Sequence, residues 1–79
     1  MAIIEKFERY QKRTFKTQPT RVTGFYGTFG EGDQKVLQLD TLGSEDREKR
    51  QKLSQTIQLE RDSAERLWRL LGDEFGFSR

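Results

Sequence analysis

The sequence predicts an α+β domain: a four-stranded antiparallel sheet followed by one C-terminal helix packed on it. Three observations carry that expectation. Residues 36–42 (VLQLDTL) and 53–59 (LSQTIQL) alternate from residue to residue, the period of a half-buried strand. Residues 21–29 are rich in Val, Thr, Phe and Tyr, the side chains that suit a pleated surface. Ala64, Leu67, Trp68, Leu71 and Phe75 fall at i, i+3, i+4, i+7 and i+11, one apolar stripe of a helix.

The elements follow in order. In the N-terminal IIEKFERYQKR, Ile3, Phe7 and Tyr10 share a helical face. No residue caps that segment, so a helix, a frayed stretch over 1–12 and an extended form are all open. A short strand is expected near 13–17. Pro19 then breaks the pattern, because it cannot donate to a ladder. A longer strand is expected near 21–29. GEGDQ (30–34) reads as a turn. In the third strand Leu37, Leu39 and Thr41 face one side, and Val36, Gln38, Asp40 and Leu42 the other. GSEDREKRQ connects it to the fourth, in which Leu53, Gln55, Ile57 and Leu59 oppose Ser54, Thr56 and Gln58. The helix places Glu60, Asp62 and Glu65 early and Arg66 and Arg69 later, as its dipole favours. Gly72 is the candidate end of its regular part.

Seventy-nine residues make a single domain over 1–79. A chain with 32% hydrophobic and 35% charged residues lies near the disordered range, but six Phe, two Tyr and one Trp supply a small core. One core of this size supplies about 3–5 kcal/mol. Without Cys or His, disulfides and Cys/His zinc sites are excluded. Stability is then expected from a homodimer, with Leu67, Trp68, Leu70, Leu71 and Phe75 at its interface; Leu70, off the stripe, suggests a second packing surface. No apolar run approaches the ~20 residues of a membrane span, and no signal-peptide core precedes the domain. A cytoplasmic location is expected.

The net charge of +2 hides strong segregation. Arg9, Lys12, Arg13, Lys16 and Arg21 stand in a stretch without acids. Residues 31–46 are acidic apart from Lys35, and residues 47–52 turn basic again. Catalysis is not expected: there is no His or Cys to act near neutral pH, no GxSxG elbow and no Walker loop. Glu45–Asp46 and Glu60/Asp62 read as solvated acids, and no metal or cofactor is expected.

Binding chemistry is better represented. Arg21, Lys35, Arg47, Lys49, Arg50 and Lys52 are candidate phosphate contacts. Ser54, Thr56 and Gln58 form a polar strand face. Tyr26 is the first stacking candidate and Phe29 the second, with Phe25 and Phe29 otherwise assigned to the core. The expected function is non-catalytic binding of single-stranded nucleic acid, DNA favoured, in transcription or DNA maintenance. The alternative is a protein-interaction or regulatory subunit that docks through its helix or an exposed strand face, with the charged connection a solubility device.

The segments KVLQLD (35–40), the long charged connection, SQTIQL (54–59) and a helix carrying Trp68 two turns in resemble the positive-cofactor-four family of transcriptional coactivators. The resemblance spans roughly residues 21–75. It implies a four-stranded antiparallel sheet and helix, dimerisation through the helices, and binding of unpaired DNA by the paired sheets. Lys35 matches a basic DNA-contacting position. Gln55-Thr56 stand where that family tends to have Lys-Gly, and Gly43 and Ser44 where it has an aromatic. GSEDREKRQKLSQTIQL also resembles a stretch in small uncharacterised bacterial proteins, some labelled for methionyl-tRNA formylation; a chain of this length gives that label no mechanistic weight.

Overall fold

A computed structural model describes residues 1–11, 13–42 and 53–77. Four strands, β1 (Ala2–Ile4), β2 (Gly24–Phe29), β3 (Val36–Leu42) and β4 (Leu53–Leu59), precede one helix, α1 (Arg61–Phe75). The sheet runs β1-β4-β3-β2, so β2 and the short β1 form its two edges. The domain is α+β, with the helix lying against β4.

The sheet is mixed. β2–β3 and β3–β4 are antiparallel, as expected, but β1 pairs parallel with β4, Ile3 opposite Gln58. The first strand is thus Ala2–Ile4 and not residues 13–17, and among the described residues no N-terminal helix forms. Ile3 and Ile4 are β-branched and uncapped, so they gain more from the open edge of β4 than from a lone helical turn. Residues 13–17 carry two cations and stop short of Pro19, and no sheet edge is left beside β4 for them.

Between β2 and β3 the chain turns through Gly30 (φ 83°) and a 3-10 turn at Gly32–Gln34. A Cβ on Gly30 would stand 2.4 Å from the Gln34 carbonyl oxygen, so only glycine fits. The charged connection at 43–52 lies outside the described residues.

Cross-strand partners place side chains on the same face of a sheet. One face carries the row Ile4–Leu59–Leu37–Thr28 and the row Ala2–Ile57–Leu39–Tyr26. Ala64 and Trp68 of α1 approach the first row over Leu59, which at 2% exposure is the one buried apolar side chain among the described residues. The second row lies farther from the helix, and Leu39 and Tyr26 stay exposed.

The first turn of α1 holds a buried Ser63, whose hydroxyl accepts the Glu60 N–H at 3.1 Å and donates to the Glu60 carbonyl at 3.2 Å. It runs through Gly72 and ends at Gly76, left-handed at φ 76°, whose N–H reaches the Gly72 carbonyl at 2.9 Å. The segment joining β1 to the opposite edge of the sheet starts along the helix: Glu5 lies near Glu60–Ser63, and Arg9 forms an ion pair with Glu74.

Candidate nucleic-acid interface

The other face of the sheet is open. Its rows are Ile3–Gln58–Gln38–Gly27, Thr56–Asp40–Phe25 and Val36–Phe29. Alternation sends these residues away from Leu59 and the helix. Phe25 is 49% and Phe29 53% exposed.

The polar residues of this face form one connected network. Gln58 Nε2 donates to Gln38 Oε1 at 2.9 Å. Gln38 Nε2 donates to both Asp40 carboxylate oxygens, at 3.1 and 3.2 Å. Thr56 Oγ1 donates to Asp40 Oδ1 at 2.8 Å. The network spans β3 and β4 and holds half-buried side chains that a solvated face would leave loose. Beside it, the β2 residues 25–29, Tyr26 and Thr28 included, line a shallow hollow of about 340 Å³ with Gln38 and Asp40. Gly27 has no side chain to fill the gap between the two rings.

The expected site residues divide between the faces. Phe29, Thr56 and Gln58 share the open face. Tyr26, 79% exposed, sits on the helix side, in register with Leu39, so it cannot stack a base against Thr56 and Gln58. Lys35 also falls on the helix side, near Leu37, Leu59 and Trp68. Arg21 is exposed and lies just before β2. Ser54 is a β4 position. Arg47, Lys49, Arg50 and Lys52 lie outside the described residues.

Assigning Phe25 and Phe29 to the core was incorrect: the register turns them outward. Phe25, Gln38 and Asp40 were not among the expected site residues. Their signal lay in the β2–β3 register, which the turn fixes and which strand composition does not encode.

On the helix side, Leu67 is half-buried, and Trp68, Leu70, Leu71 and Phe75 are exposed. The Arg69 guanidinium lies 5.5 Å from the Trp68 ring centroid, and Phe75 stacks on Phe77 with centroids 5.6 Å apart. Arg69 also donates to Glu65 at 2.9 Å, and this bond, with the cation's charge, holds the Glu65 carboxyl below its ordinary range. Among the described residues no helix is long and apolar enough to cross a membrane.

Fold and surface together define an α+β domain with an apolar, partly covered face and a polar–aromatic open one. Comparison with protein-family models, curated proteins and solved structures gives no match.

Proposed function

We propose that this chain is a small non-catalytic domain that binds single-stranded nucleic acid on its open sheet face, in a cytoplasmic setting. The observation that carries the reading is the pairing of two exposed Phe rings with a fixed row of amide, carboxylate and hydroxyl groups. Rings stack on unpaired bases at roughly 1–3 kcal/mol each, and polar groups meet base edges. Phe25 and Phe29 are four residues apart on one strand, about 13 Å, so each has room for its own base. Arg21, just before β2, supplies a phosphate contact, as do Arg47, Lys49, Arg50 and Lys52 in the β3–β4 connection. DNA is the favoured strand.

The helix side has a different role in this reading. Tyr26, Leu39, Leu71 and Phe75 are exposed large side chains, and among the described residues Leu59 is the one buried apolar group. A second copy covering them gives a homodimer with both open faces free. The same exposure favours one other reading, docking of a larger protein on the helix.

The two readings part on salt. The test is fluorescence anisotropy of a labelled mixed-sequence single strand at two salt concentrations, beside a duplex. Binding that prefers the single strand and weakens steeply with salt supports the proposal. Absence of binding at low salt overturns it and leaves protein docking through the helix.

A further inference from the structure

We infer that Asp40 selects the base that lies on Phe25, favouring bases with an exocyclic amino group (cytosine, adenine, guanine) over thymine and uracil. The inference rests on the single-strand reading above and deepens it. Phe25 and Asp40 are direct cross-strand partners, so a base stacked on the Phe25 ring brings its edge toward the Asp40 carboxylate.

The carboxylate is held as an acceptor. A carboxylate has about four lone-pair sites. Oδ1 accepts from Thr56 at 2.8 Å and from Gln38 at 3.1 Å, whereas Oδ2, among the described residues, accepts only from Gln38, at 3.2 Å. Capacity therefore remains on Oδ2. The Gln38 amide cannot turn to offer its carbonyl instead without losing the Gln58 bond at 2.9 Å. The network thus fixes Asp40 from the β4 side and leaves its remaining acceptor capacity for a ligand.

An exocyclic amino group donates to such an oxygen, and the bond is charge-assisted. Thymine and uracil have a single ring N–H between two carbonyls. A carboxylate that accepts from that N–H meets the lone pairs of the flanking carbonyls, so the contact is weaker than one to an exocyclic amino group. Cytosine and thymine are alike in size and shape, so the difference between them isolates this effect. A well-formed edge contact discriminates by about 5- to 160-fold.

The experiment compares oligo(dC) with oligo(dT) by anisotropy at one salt concentration, for the wild type and Asp40→Asn, with circular dichroism confirming the fold. A third strand carries N4,N4-dimethylcytosine, which removes the amino donors and leaves the protein untouched. The expected result is at least 5-fold tighter binding of oligo(dC) than of oligo(dT), lost on dimethylation and lost in Asp40→Asn. Equal binding of the two strands overturns the inference and leaves single-strand binding intact. So does a preference that survives dimethylation, which decides the matter even if Asp40→Asn fails to fold. No binding of any strand overturns both.

Discussion

Phe25 of β2 stands directly across the sheet from Asp40 of β3, and Asp40 in turn stands across from Thr56 of β4. One row thus runs from an aromatic ring through a carboxylate to a hydroxyl, on the face away from the helix. A ring beside a hydrogen-bonding group is the minimal equipment for holding an unpaired base.

That row gives the sharpest mutational contrast. Phe25→Ala and Phe29→Ala should each weaken single-strand binding by roughly 1–3 kcal/mol. Tyr26→Ala, on the opposite face, should leave it nearly unchanged. Anisotropy titrations of the three variants check this, and an equal loss in Tyr26→Ala would contradict the assignment of faces.

The network should also contribute to stability. Thr56→Val removes one donor to Asp40 and keeps the β-branched shape. Hydrogen bonds to charged groups contribute about 1.5–3 kcal/mol. The cost should therefore lie in that range, read as a lower urea midpoint at unchanged m-value.

Leu59 is the position where the fold has least to spare. Leu→Ala in a core costs about 2–5 kcal/mol, against a total of about 3–5 kcal/mol for a domain of this size. Leu59→Ala should be largely unfolded at room temperature, visible as lost ellipticity at low protein concentration. Leu39→Ala, on the same face but exposed, should fold.

If a second copy covers the helix side, Leu71→Glu should separate the copies. Light scattering after gel filtration should then report 9.4 kDa for the variant and twice that mass for the wild type. A wild type that runs as a monomer would dispose of the dimer.

Glu65 gives a pH signature. Its carboxyl is held below the ordinary range by the Arg69 hydrogen bond and charge. A depressed folded value means the contribution is fully present above the unfolded glutamate pKa and disappears as pH falls through the folded one. Glu65→Gln should therefore melt slightly below the wild type at neutral pH, and the two curves should merge in strong acid. The pair is exposed, so the separation should be small and should shrink with salt.

The legible parts of the fold were those encoded by local period. VLQLDTL, LSQTIQL and the stripe from Ala64 to Phe75 each settle into the expected element, because each pattern has one face to bury. Ala2–Ile4 was not legible as a strand, since its partner is β4, more than fifty residues away. A three-residue segment holds too little information to announce a parallel pairing. Phe25 and Phe29, expected in the core, are exposed for a related reason. Gly24-Phe25-Tyr26-Gly27-Thr28-Phe29 carries an aromatic ring on each face, so only its register against β3 decides which ring lies on the open face and which on the helix side.

β2 has a further consequence. It is an edge strand of six residues, all exposed, with no charge and no proline. Natural edges are usually guarded by a lysine, a bulge or a proline, because bare backbone N–H and C=O groups accept a strand from any passing chain. Self-assembly into extended sheets is therefore the hazard this molecule faces at high concentration, and its solubility depends on the charged segments elsewhere. A lysine at position 27, where an added Cβ meets nothing within 4 Å, would guard that edge at little cost to the fold.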